Sequence, residues 1–151
     1  MKGSSNVKGV KLALIVTVVC LAGVLFSSSA FAKGDEILIG AAVSMTGPLA
    51  PDGLEQKWAY EQAVDDWNKK GGIYIKEAGK KLPIRIVFAD DESDTARVAA
   101  AMEKLIKIDK VDLMLSTHSA SLMVAAVNAA EKYKMYYHVT THWPEMWSPQ
   151  K

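Results

Sequence analysis

Along residues 36–139 apolar runs short enough for strands alternate with longer stretches of helical periodicity. Glu36-Ile37-Leu38-Ile39-Gly40-Ala41-Ala42-Val43 is a continuous apolar run and predicts a strand buried on both faces. Gly47-Pro48, Pro51 and Gly53 predict a loop over Ser44–Gly53. From Leu54 the period changes. Leu54, Trp58, Ala63, Val64 and Trp67 fall near one helical face, with Glu55, Lys57, Glu61, Asp65 and Asp66 on the others. Asn68-Lys69-Lys70-Gly71-Gly72 predicts the helix stop, with basic residues and glycine where the C-terminal dipole and a left-handed cap favour them.

Ile73–Lys76 and Leu82–Phe88 flank Glu77-Ala78-Gly79-Lys80-Lys81, which predicts a hairpin leading into a second main strand over Leu82–Phe88. A helix follows from Thr95 to Ile108, with Val98, Ala101, Met102 and Leu105 inward. Val111–Leu115 is a third strand, Ser116–Ser121 a polar loop, Leu122–Lys132 an alanine-rich helix and Met135–Val139 a fourth strand. Strand–helix alternation implies an α/β fold with a doubly wound, mostly parallel sheet. Ligands in such sheets sit outside the carboxyl ends of the strands. That rule selects three loops: Ser44–Gly53, Ser116–Ser121 and Thr140–Trp147.

The first residues follow a different pattern. Lys2, Lys8 and Lys11 precede an uncharged stretch over Leu12–Phe26, and Ser27-Ser28-Ser29-Ala30-Phe31-Ala32 ends in Ala-x-Ala. A basic region, a short apolar region and a small-residue site predict a cleaved secretory signal peptide over 1–32, leaving Lys33–Lys151 as the exported part. The uncharged stretch is shorter than the roughly 20 residues that a membrane-spanning helix needs. Cys20 follows Val19 inside the apolar region, so it reads as an ordinary residue of the signal rather than a lipid attachment site. The chain carries a formal charge of +1, and losing three lysines with the signal takes it to −2. That balance provides neither the basic footprint of a nucleic-acid binder nor a polybasic membrane patch.

Candidate chemistry is sparse. Asp90, Asp91, Glu92 and Asp94 resemble a cation or phosphoacceptor cluster, but the strand ends lack the other acids that a receiver domain needs. The expected role is capping of the following helix by Ser93 or Asp94, with the other acids at its positive end. No Gly-x-Gly-x-x-Gly or Walker lysine follows a strand, and no Gly-x-Ser-x-Gly elbow occurs, so neither a cofactor nor an enzyme is expected. His118, His138 and His142 lack metal-ligand spacing. Ser116-Thr117-His118-Ser119-Ala120-Ser121 precedes a helix, where hydroxyls and free N–H groups suit a carboxylate; simple N-capping by Ser119 or Ser121 is the alternative.

Ile37-Leu38-Ile39-Gly40 followed by Ser44-Met45-Thr46-Gly47-Pro48-Leu49-Ala50, then Ala63-Val64-Asp65-Asp66-Trp67-Asn68-Lys69-Lys70-Gly71-Gly72-Ile73 and the Asp90-Asp91 stretch, resembles the periplasmic leucine/isoleucine/valine-binding protein family in order and spacing. The resemblance implies a two-lobed clamshell that closes on a solute and delivers it to the permease subunits of an ABC importer in the membrane. It implies a periplasmic location, with 33–151 as the N-terminal lobe and a second lobe absent, so that the chain is either a fragment or a lone lobe. Ser119 stands at the family's carboxylate-binding position, with Ala120 and Ser121 beside it. Thr140 and His142 match the loop that meets the ligand's ammonium group, and Trp143 is expected to add an apolar wall. Asp52 stands where branched-chain binders have an aromatic, and His142 where they have a small hydroxyl residue. These departures favour a small polar or amide-bearing solute over leucine. A ligand-sensing ectodomain is the other function class considered.

Overall fold

The computed structural model describes residues 34–140, so the signal segment predicted over 1–32, His142 and Trp143 lie outside the described residues. Its elements, in chain order, are β1 (Ile37–Val43), α1 (Ala50–Lys69), β2 (Ile73–Ile75), β3 (Lys80–Leu82), β4 (Ile84–Asp90), α2 (Thr95–Lys107), β5 (Leu113–Leu115), α3 (Ala120–Tyr133) and β6 (Tyr137–His138). Four strands form a sheet in the order β4-β1-β5-β6, every pairing parallel, while β2 and β3 make a separate antiparallel ribbon. The expected doubly wound α/β sheet is therefore present. Its strand order reverses between β1 and β5, which makes the carboxyl ends of those two strands the crevice of the fold.

Side-chain alternation assigns the helices to faces. Ala42 and Met114 enter one core with Val98, Ala101, Met102 and Leu105 of α2 and Leu122, Ala126, Ala129 and Ala130 of α3. All four inward positions expected for α2 are buried. On β4, Val87 and Ala89 pack against that core, whereas Phe88 lies under Lys57 of α1, so α1 covers the opposite face. Deleting the Leu105 side chain to alanine from this core should cost about 2–5 kcal/mol.

Helix α1 departs from expectation in two ways. It starts at Ala50 rather than Leu54, because Pro51 in the first turn is pre-set for helix rather than breaking it. Its apolar stripe is not its inner face. Leu54, Trp58 and Trp67 are 49%, 64% and 49% exposed, and Ala63 is exposed as well. The less exposed line runs instead through buried Gly53 and half-buried Gln56, Lys57, Tyr60, Val64 and Asn68, so that of the expected stripe Val64 alone lies on it. Hydrogen bonds decide this orientation. Asn68 donates from Nδ2 to Ile84 O and accepts from Ile84 N, both at 2.8 Å, clasping the end of α1 to the start of β4. Gly53 sits so close to β1 that a Cβ there would stand 1.9 Å from Ser44 O.

The second strand is also divided. Leu82 pairs with Ile73 in the ribbon, and β4 starts only after Pro83, whose carbonyl accepts from Ile37 N at 2.8 Å. The glycine stop holds as expected: α1 ends at Lys69, and Gly72 at φ +87° lies where a Cβ would meet Leu82 O at 2.0 Å.

Candidate functional site

Two loops flank the crevice. The one after β1 is tied down by the acids that follow β4. Asp90 Oδ1 accepts from the N–H groups of Met45, Thr46 and Glu92, and its Oδ2 accepts from the Thr46 hydroxyl at 2.8 Å. Burial on its own would raise the Asp90 carboxyl, but these donors hold it below the ordinary aspartate range. Asp91 is wholly buried; its Oδ1 accepts from the Ser44 hydroxyl at 2.6 Å and from Ser93 N at 2.9 Å. Its Oδ2 is buried with no partner among the described residues. Ser93 accepts from Leu49 N and donates to Thr46 O.

Asp90 and Asp91 thus clamp two strand ends together, which corrects for these two the expectation that they serve the start of α2; Glu92 does meet that start, pairing with Arg97. Only Asp94 caps that helix, accepting from Ala96 N and Arg97 N, and no acid lies in its first turn. Spacing alone did not separate these roles, because the partners of Asp90 and Asp91 on the β1 loop lie more than 40 residues away in sequence.

The loop after β5 is built differently. Ser116 and Thr117 are buried, and Ser116 O accepts from Gln56 Nε2 at 2.9 Å and from the Tyr60 hydroxyl at 2.8 Å. The Ser116 hydroxyl lies 2.8 Å from Thr140 Oγ1 and accepts from Thr140 N, so this loop and the end of β6 meet as expected. Thr117 N donates to the Tyr137 hydroxyl, whose phenol burial pushes well above its ordinary value and so keeps neutral.

Ser119 stands at the N-cap of α3, yet its side chain caps nothing. Its hydroxyl lies 3.1 Å from that of Ser121, and the two form a pair at the helix start, with Ala120 between them half-buried. The capping alternative therefore fails for Ser119.

A groove of about 800 Å³ lies between α1 and the sheet edge. Asp52, Glu55, Gln56, Trp58 and Tyr60 line it from α1, and His118 and Thr140 from the sheet edge. His118 Nε2 is 3.5 Å from Asp52 Oδ2, a contact that becomes an ion pair when the ring is protonated. Of the expected residues the groove brings together Asp52 and Thr140; Ser119, Ala120 and Ser121 follow directly after His118 rather than lining it. Gln56 and Tyr60 were missed by sequence reasoning. Their signal was a four-residue spacing on one helical face, obscured by the stronger apolar stripe. Among the described residues no group of histidines, cysteines and acids is arranged to hold a metal ion.

The family model described as "Periplasmic binding protein" matches residues 36–149. The Leu/Ile/Val-binding protein of Escherichia coli is 37% identical over 101 residues, covering 67% of this chain and 24% of that protein. A Leu/Ile/Val-binding protein homolog of Brucella melitensis is 34% identical over 95 residues, covering 63% of this chain and 23% of its own length. Among solved structures, the branched-chain amino acid transporter substrate binding protein LivJ of Streptococcus pneumoniae, in complex with isoleucine, superposes with a TM-score of 0.64 at 27% identity. The match covers 74% of this chain and 30% of that one. The chain spans about a quarter of the length of the curated relatives it matches.

Proposed function

This chain belongs to the periplasmic binding proteins, and on that premise we propose that it acts as the solute-binding component of an ABC importer, located in the periplasm and docking on membrane permease subunits. The solutes are branched-chain amino acids, amides or similar small polar molecules, held between this lobe and a second. The family is one of binding proteins rather than enzymes.

The observation that carries the reading is the Ser119–Ser121 hydroxyl pair at the uncapped start of α3, beside the crevice where the strand order reverses. In this reading Ser119 donates its hydroxyl to the solute's carboxylate together with backbone N–H groups of α3. The carbonyl of Thr140 accepts from the solute's amino group, and His142 and Trp143 complete that side.

Titration calorimetry of the native polypeptide with leucine, isoleucine and glutamine tests it. Removing a hydrogen-bond partner of a charged group costs about 1.5–3 kcal/mol. Ser119→Ala should therefore weaken binding roughly 10- to 150-fold. Unchanged affinity in that variant would place the carboxylate elsewhere.

A further inference from the structure

The groove's wall on the α1 side is chemically one-sided. Asp52 and Glu55 lie one helical turn apart and so share a face, and among the described residues no lysine or arginine lines the groove. The nearest cation on the helix, Lys57, is engaged elsewhere, 2.5 Å from Glu61 and over the Phe88 ring. The donors that α1 offers at this wall are already engaged: Gln56 Nε2 and the Tyr60 hydroxyl both bond to Ser116 O. What remains is acceptor capacity. Gln56 Oε1 is buried without a hydrogen-bond partner among the described residues, and the Asp52 side chain is 67% exposed with only the His118 contact. Trp58, 64% exposed on the same wall, adds the face of an indole ring.

We propose that this groove selects solutes whose side chain ends in a protonated nitrogen group, an ammonium or a guanidinium, with Asp52 as the specificity-determining carboxylate and Glu55 beside it. The inference rests on the solute-binding reading above and narrows its solute class, from branched-chain amino acids and amides to small polar solutes with a cationic side chain. The two poles of the site fit such a solute. The start of α3 favours its carboxylate through N–H groups and serine hydroxyls, and the α1 wall favours its distal cation. An apolar side chain closing on the same wall would desolvate the Asp52 carboxylate and leave it His118 alone, 3.5 Å away, which is costly. A cation meets that carboxylate with charge-assisted hydrogen bonds and lies within reach of an indole face that attracts cations.

The test compares near-isosteric pairs by calorimetry on the native polypeptide: L-arginine against L-citrulline, and L-lysine against L-norleucine. At least one cationic member should bind tenfold or more tightly than its neutral partner. Asp52→Asn should reduce that preference to about twofold, and Asp52→Glu, which keeps the charge, should retain most of it. The melting temperature of each variant separates this from a purely structural role, since Asp52 also lies in the first turn of α1. A variant that melts lower yet keeps the cation preference overturns the proposal. So does a neutral member, or L-leucine, bound as tightly as the cations, and that result leaves the solute-binding reading intact. Failure of every amino acid to bind sinks both.

Discussion

The loops after β1 and after β5 sit at the same edge of one sheet and differ in how their polar groups are used. The β1 loop is held from outside itself: Asp90, Asp91 and Ser93 take up its N–H groups, a serine and a threonine hydroxyl, and a carbonyl. The β5 loop buries its first half in the same manner, through Ser116, but its second half ends in two hydroxyls that, among the described residues, are bonded to each other alone. Polar groups locked into a buried network rigidify a fold. Polar groups left to one another at a strand end are available to a ligand. The acidic cluster, which looks the more reactive in sequence, is scaffold, and the serine run is the candidate site.

The largest effect that sharpens this contrast is expected at Asp91. Truncation leaves the Ser44 hydroxyl and Ser93 N–H buried without their acceptor. Each orphaned group costs about 1–3 kcal/mol. Asp91→Ala should therefore destabilise by roughly 2–4 kcal/mol, a fall on the order of 10 °C in melting temperature. Thermal unfolding checks it. A variant that melts with the parent would mean that the clamp is not what holds the β1 loop.

Much of this architecture was legible in the chain. The four parallel strands, the burial of Val98, Ala101, Met102 and Leu105, and the stop at Gly71-Gly72 follow from periodicity and from the conformational demands of glycine. The inner face of α1 did not follow, because periodicity counts apolar residues and cannot see that Asn68, Gln56 and Tyr60 have backbone partners on β4 and on the loop after β5. Gly53 hid the helix start for a related reason. It is there for close approach to Ser44, not to break the helix. Of the site, sequence brought Ser119, Thr140 and Asp52 to notice, while the His118–Asp52 contact required the first turn of α1 to meet the β5 loop.

A smaller effect separates the loops by pH. The Asp90 carboxyl is depressed in the folded state, so its contribution to stability is present above the ordinary aspartate range. It is lost as pH falls through the lowered folded value. Melting temperature measured from pH 7 down to pH 3 should fall more steeply for the parent than for Asp90→Asn, which keeps an acceptor but does not ionise. Parallel curves for the two proteins would show that the carboxylate's charge contributes nothing to the clamp.

The smallest effect is the most discriminating, because it compares two residues at the same nominal position. Asp94 and Ser119 are both N-caps, of α2 and α3, with extended backbone at each. Asp94 accepts from Ala96 N at 2.8 Å and from Arg97 N at 3.0 Å, whereas among the described residues Ser119 accepts from neither helix nor loop backbone and meets Ser121 alone. Losing a working cap costs about 0.5–2 kcal/mol. Asp94→Ala should fall in that range, and Ser119→Ala should stay within about 0.5 kcal/mol of the parent, as ordinary surface changes do. Denaturant unfolding of the two variants measures both, with the slope unchanged if the denatured states are alike. The order should invert when solute affinity is read instead, with Ser119→Ala the weaker binder and Asp94→Ala unchanged. If Ser119→Ala is destabilised as much as Asp94→Ala, the serine hydroxyl is a helix cap in solution, and the β5 loop joins the β1 loop as scaffold.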